Sequence, residues 1–276
     1  MASGKGERNA KPFKRKSLGP KRDTQKRKPK QKKVDTEGQN KVIAIKSKKK
    51  NEVVRLASPS QQLEYFVDQF QSANGVKLSS LELESITENC IVKLPLGLDQ
   101  DASNLGEHMK IAFGSSWEEE LCEAQLEEGK VEPGSPAVLI FSAAALRSLD
   151  LLRGLHSLTR KCHAAKLFSK HMKVENQVTL LKSRVNIASG TPSRIKKLIE
   201  MEALGLSRLE VIVLDMQMDV KGFSLFTLTQ VRDELWDLYK TYFHQRLLQG
   251  KLRICLYGPI PVSAEKKNDE TERSDN

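Results

Sequence analysis

Residues 188–194 read Ala-Ser-Gly-Thr-Pro-Ser-Arg, and residues 209–215 read Leu-Glu-Val-Ile-Val-Leu-Asp. In the first stretch, Gly190 allows close backbone approach or a positive φ. Thr191 can cap a following helix, and Pro192 suits its first position, where no amide hydrogen is needed. The second stretch is an apolar strand that ends in Asp215. A second apolar run, Ala-Val-Leu-Ile-Phe over 137–141, also lacks alternation. Strands of that kind are buried on both faces, as in parallel sheets covered by helices.

Working outward, helix and strand signals alternate. Helices are expected over 144–155, 174–183, 192–201 and 227–248, with strands over 164–168, 185–188 and 252–257. The last of these helices carries an inner stripe of Leu228, Val231, Leu235, Leu238 and Tyr242 at spacings of 3 and 4. Upstream, Leu63, Phe66, Val67 and Phe70 line one helical face that Asn74-Gly75 ends. Short helices follow over 81–87, 105–113 and 117–126, with a first strand over 91–94 and a loop over 127–136 rich in Gly and Pro. The expected fold is α/β: a mostly parallel sheet with helices on both faces.

Charge divides the chain. Its 276 residues carry a net charge of +11, and residues 1–55 hold 20 of the 46 basic residues against 5 of the 35 acidic ones. The remainder therefore holds 26 basic and 30 acidic residues and is mildly acidic. The first 55 residues have too few apolar side chains to offset ordering entropy and read as a disordered basic tail. Two clusters there suit nuclear import: Lys14, Arg15 and Lys16, then Lys21, Arg22, Lys26, Arg27 and Lys28. Lys26, Arg27, Lys28, Lys30, Lys32 and Lys33 are also candidates for RNA phosphate contact. Cys90, Cys122, Cys162 and Cys255 lack paired spacing and read as free thiols in a reducing compartment. The expected divisions are a tail over 1–58, a folded lobe over 59–262 and a polar tail over 263–276. No signal peptide or apolar run of membrane-spanning length occurs in the sequence.

The chemistry centres on two places. The free amides and dipole of a helix beginning at Pro192 favour an anion, and Arg194 in its first turn could clamp the same group bidentately. Gly190, Thr191 and Arg194 thus form a candidate phosphodiester seat. A capped helix with a surface arginine fits the local pattern as well. Asp215 stands at the carboxyl end of a buried strand, where open α/β sheets place ligand-binding residues, and it suits either a metal ligand or a loop cap. The residue after it is Met216, where a nucleotide hydrolase needs Glu to handle the attacking water. No Gly-x-x-x-x-Gly-Lys-[Ser/Thr] occurs, and residues 95–105 offer one Gly, two Asp and no Lys. Those carboxylates would repel a triphosphate, which argues against ATP use.

Other constellations are weaker. Cys162-His163 and His171 lack zinc-site spacing. No Gly-x-Ser-x-Gly elbow is present. Trp236, Tyr239 and Phe243 form an aromatic row that suits core or partner packing better than base stacking. Arg160, Lys161, Lys166, Lys170, His171 and Lys173 form a basic stretch that fits an RNA track or ordinary solvated surface.

The turn at 190–194 followed by the Asp-terminated strand is similar to the RNA-gripping half of a DEAD-box helicase core. Taken with Val138-Leu139-Ile140-Phe141-Ser142-Ala143-Ala144-Ala145-Leu146-Arg147 and the stretch 166–178, it closely resembles the Cms-one ribosomal small-subunit family, and residues 69–75 resemble its plant branch. These are DEAD-box-like proteins of the pre-ribosomal complex that contains the U-three small nucleolar RNA. The resemblance covers about residues 60 to 260. It implies a single, degenerate RecA-like lobe and a non-catalytic ribosome biogenesis factor in the nucleus and nucleolus. Its partners would be pre-ribosomal RNA and small-subunit pre-ribosome proteins, with no cofactor, metal, membrane or small-molecule substrate. Thr191 and Arg194 match the residues that hold the RNA backbone in helicases, and Asp215 matches the first acidic residue of the DEAD motif. Ala143 and Ala144 stand where that pattern has Thr and an RNA-contacting Arg. Tyr257-Gly258-Pro259 stands where it has Ser-Ala-Thr. The alternative is a weak ATPase or RNA remodeller that uses Asp215.

Overall fold

The computed structural model describes residues 57–125 and 131–261. The basic clusters of the first 56 residues and the polar tail from 263 lie outside the described residues. Five strands form one sheet: β1 (Val138–Phe141), β2 (Ala165–Leu167), β3 (Ile187–Gly190), β4 (Val211–Asp215) and β5 (Arg253–Tyr257). Their order is β2-β3-β1-β4-β5, and every pairing between them is parallel.

Side-chain alternation explains why both faces are covered. Leu139 and Phe141 of β1 point into one apolar cluster, and Val138 and Ile140 point into the other. The first cluster is filled by α1 (Pro59–Asn74), α5 (Val174–Leu180), α6 (Pro192–Glu200) and α7 (Thr229–Leu238). The second is filled by α3 (Leu105–Phe113) and α4 (Ala145–Gly154). The α/β architecture expected from the unalternating apolar runs is therefore the one observed.

Three expectations need correction. The strand expected over 91–94 is reduced to a single parallel bridge, Ile91 to Ile254, held by the Val92 amide on the Ile254 carbonyl at 2.8 Å. It extends the sheet beyond β5, but Pro95, four residues after Ile91, has no amide to continue the pairing. The helix expected over 117–126 shrinks to a π-type turn over Glu118–Cys122. The third strand begins and ends two residues later than expected, at Ile187–Gly190, so Gly190 is the last residue of a strand and not part of a turn.

The long helix over 227–248 is present but interrupted. A π-turn over Tyr239–Phe243 joins α7 to α8 (His244–Leu248) with helical backbone throughout. The extra residue moves the inner stripe from Tyr242, which stays half-exposed, to Phe243, which is fully buried. Trp236, Tyr239 and Phe243 are all core residues, and Phe66 and Phe70 of α1 pack on the first two at ring separations of 5.0 to 5.6 Å. The aromatic row is thus spent on packing and offers no surface for base stacking.

Candidate nucleic-acid interface

The carboxyl ends of β1, β3 and β4 bring the sequence-derived candidates to one edge of the sheet. Gly190 pairs with Phe141 on one side and Leu167 on the other. A Cβ there would lie 1.9 Å from the Leu167 carbonyl oxygen. Close approach, not positive φ, is therefore what Gly190 provides. The Thr191 amide continues the contact by donating to the same carbonyl at 3.1 Å.

Pro192 occupies the first position of α6, as its chemistry suggests. Thr191 takes the N-cap position with extended backbone, but its side chain makes no capping hydrogen bond. The expected cap is absent, so no side chain neutralises the amide end of α6, which faces the sheet's carboxyl edge.

Arg194 is half-buried and held from behind. Its Nη1 donates to Gln177 Oε1 at 2.7 Å and to the Met172 carbonyl at 3.3 Å. Gln177, itself buried on α5, donates through Nε2 to the carbonyls of Lys166 and Phe168 at 2.7 and 3.0 Å. Thus β2, the loop after it and α6 are tied together through one amide side chain. Among the described residues, Arg194 Nε and Nη2 make no hydrogen bond. Lys170, His171 and Lys173 lie exposed on the tethered loop, with His171 at φ 60°. Of the basic stretch left open in the sequence, Lys170, His171 and Lys173 therefore lie beside the seat, whereas Arg160 and Lys161 precede β2 at its amino end. Gln177 carries no charge or motif that would mark it in a single sequence.

Asp215 has a different environment. It is 2% exposed and held by Arg147, whose Nε and Nη2 donate to the two carboxylate oxygens at 2.9 Å each. This fork-to-fork geometry is the strongest form of the pair. Burial pushes the Asp215 carboxyl up, against the Arg147 hydrogen bonds that oppose it. Burial also pulls the Arg147 guanidinium down, but Asp215 outweighs that and leaves it above its ordinary value. Asp215 is therefore a fixed ion-pair partner, held also from the Gln217 backbone in the loop that follows, and not an open metal ligand. Arg147 carries no sign of this role in the sequence, because the adjacency of β1 and β4 that allows it is a property of the sheet order.

The neighbouring corner, where a triphosphate cradle would follow Ile91, is closed. Gln100 Oε1 accepts from the Gly258 amide at 2.8 Å, and the Tyr257 hydroxyl donates to the Asp101 carbonyl at 2.6 Å. His108 Nδ1 meets the same hydroxyl at 2.9 Å. The Asp101 carboxylate accepts from Ser103 Oγ at 2.6 Å and the Asn104 amide at 3.0 Å, which hold its pKa below the usual range. A fixed negative charge thus stands where phosphates would need donors.

Elsewhere, the four cysteines are free, and Cys162 accepts a hydrogen bond from Asn186 Nδ2 at 3.3 Å. Among the described residues, no group of three or more His, Cys, Asp or Glu could hold a metal, and no helix is long and apolar enough to cross a membrane.

With this geometry in view, comparison with known proteins is decisive at the level of family. Residues 7–257 match the family described as CMS1: U3-containing 90S pre-ribosomal complex subunit. The chain belongs to that family. Protein CMS1 of Chaetomium thermophilum is 37% identical over 145 residues, which is 51% of this chain and 55% of that one. Protein CMSS1 of Homo sapiens is 34% identical over 145 residues, 51% of this chain and 49% of its own. The chain spans about half the length of the curated relatives it matches. Among solved structures, the yeast DEAD-box splicing factor Prp28 aligns with a TM-score of 0.37 at 13% identity, covering 46% of this chain and 28% of that one. S. cerevisiae Dbp5, bound to Nup159, Gle1, IP6 and ADP, aligns at 0.39 and 12% identity, covering 75% and 48%. The α/β assignment rests on the strand order given above.

Proposed function

We propose that this chain is a non-catalytic ribosome biogenesis factor of the small-subunit pre-ribosomal particle, residing in the nucleus and nucleolus. It holds pre-ribosomal RNA through its basic tail and through the seat at Gly190, Thr191 and Arg194. Small-subunit pre-ribosome proteins are its other partners. Family membership supports the setting.

The observation that carries the non-catalytic reading is the Arg147–Asp215 pair. Arg147 takes one lone pair on each Asp215 oxygen and supplies, at bonding distance, the positive charge that a magnesium ion would otherwise bring, so the carboxylate is already neutralised where a metal would need it free. The uncapped α6 amides, the unengaged side of Arg194 and the cations of the loop at 170–173 support phosphate holding instead.

Two measurements on the full chain test this. Magnesium ATP should leave the melting temperature unchanged; a stabilisation of about 2.7 kcal/mol at a hundredfold excess over the dissociation constant would overturn it. Arg194→Ala should weaken single-stranded RNA binding without lowering the melting temperature by more than a few degrees. Unaltered RNA affinity would remove the lobe from the interface and leave the tail as the sole contact.

A further inference from the structure

A cleft of about 360 Å³ opens at the amino ends of β4 and β5, the end of the sheet opposite the α6 seat. Strand length puts roughly 15 Å between the two ends. Open α/β sheets place nucleotide chemistry at the carboxyl ends, so this cleft is not a remnant of a nucleotide site. Arg208, Arg246, Lys251 and Arg253 line it, with Glu210 as the only acidic residue in its wall.

Helix physics accounts for part of this arrangement. Gly250, at φ 67°, ends α8 in a Schellman turn, with the Lys251 amide donating to the Arg246 carbonyl at 2.9 Å and the Gly250 amide to Leu247 at 3.0 Å. That turn sets Lys251 beside Arg246, and cations are favoured at a helix carboxyl end. Arg208 is already paired with Glu120 Oε2 at 2.8 Å, and Arg253, from β5, has Nη1 on the Ala112 carbonyl at 3.0 Å, which leaves its other guanidinium nitrogens without a partner among the described residues. The turn does not satisfy Arg246, whose Nε is buried without a partner and whose Nη2 reaches only the Leu209 carbonyl at 3.5 Å. Among the described residues, Arg246, Lys251 and Arg253 make no ion pair. Gathering them around one carboxylate is unfavourable until an external anion arrives.

The adjoining surface decides which anion. A second cleft shares Arg208 and Glu210 with the first and is lined by Glu119, Glu120 and Glu123 with Arg184; Glu120 is paired with Arg208, and Glu119 and Glu123 make no ion pair among the described residues. An RNA strand carries a charge at every nucleotide and would run from the cations directly onto these carboxylates. A polypeptide can alternate its charges. We propose that this edge docks a mixed-charge segment of a protein partner, with an Asp or Glu side chain in the Arg246–Lys251–Arg253 cleft and a basic side chain over the glutamates.

The full-length protein, isotopically labelled, is titrated with the short peptide acetyl-Asp-Glu-Asp-Gly-Lys-Arg-amide and, separately, with a short oligouridine, reading backbone amide shifts. The peptide should move the amides of Gly250, Lys251 and Arg253 saturably, and Lys251→Glu should weaken that response roughly tenfold or more. Lys251 is exposed, so an otherwise unchanged spectrum certifies the fold; Arg246→Gln provides a second, charge-neutralising variant with the same expected loss. The proposal fails if the peptide leaves these amides in place or if neither variant reduces their response. It also fails if oligouridine moves them as strongly as the peptide, which would make the cleft an RNA site.

Discussion

Two parts of the sheet's carboxyl edge face the same solvent and treat their polar groups in opposite ways. At the β3–α6 end, the amides of the first helical turn lack a side-chain cap, and one side of Arg194 is unengaged. At the β4–β5 end, Asp215 is locked by Arg147, Tyr257 and Gly258 are stitched to Gln100 and Asp101, and the Asp101 carboxylate is spent on the Asn104 amide. One corner keeps unused donors for a ligand, and the other has turned its donors and acceptors on itself. One sheet edge can therefore keep donors open at one corner and pair them internally at the other, with the same parallel strands positioning both.

The sharpest way to break this comparison is at the ion pair. Arg147→Met strands a buried carboxylate, and the expected loss is about 3 to 5 kcal/mol in urea unfolding. The double variant Arg147→Met with Asp215→Leu should recover most of it. Equal losses in the single and double variants would show that the pair is not what closes this corner. Next in size is Gly190→Ala. The added Cβ meets a backbone carbonyl of β2, which cannot yield as a side-chain tip would, so about 2 to 3 kcal/mol should be lost. Gly97→Ala, with open space around it, is the matched control and should be nearly silent.

The smallest effect is one of pH. Burial holds the His108 imidazole below its ordinary value, against the opposing influence of the Leu98 backbone and Asp101. Below pH 6.5 the unfolded chain takes up a proton that the folded chain refuses, so stability should fall as pH drops through that value. His108→Gln should flatten the slope between about pH 6.5 and 5. A slope that persists in the variant would assign it to other groups.

Much of the fold was legible in the sequence because burial on both faces leaves a plain mark. The runs at 137–141 and 209–214 announced β1 and β4, and Pro192 announced the start of α6. What stayed hidden depends on neighbours distant in the chain. The strand at 91–94 has strand-like residues but only one partner position beside β5. Gly190 belongs to a strand because Leu167 closes on it, a contact that no local pattern encodes. Of the site, the types at 190, 191 and 194 were readable, yet the missing Thr191 cap and the Gln177 brace were not. Arg147 and Asp215 are 68 residues apart and meet only through the order of the sheet. The basic cleft was equally silent: Arg246, Lys251 and Arg253 lie within eight residues, but Arg208 joins them only because β4 pairs with β5.

The π-turn at Tyr239–Phe243 has a consequence for the molecule's tolerance of change. Deleting one residue from it would restore regular α-helix with Phe243 at the stripe position, whereas deleting one residue from the regular turns of α7 would rotate everything downstream by about 100°. Phe243 and Leu247 would swing out of the interior, and Arg246 would leave the rim it shares with Lys251. A single inserted residue thus sets the phase of the helix, coupling the aromatic interior at one end to the charged surface at the other. Length changes in α7 should be far less forgiving than loss of the extra residue in the turn.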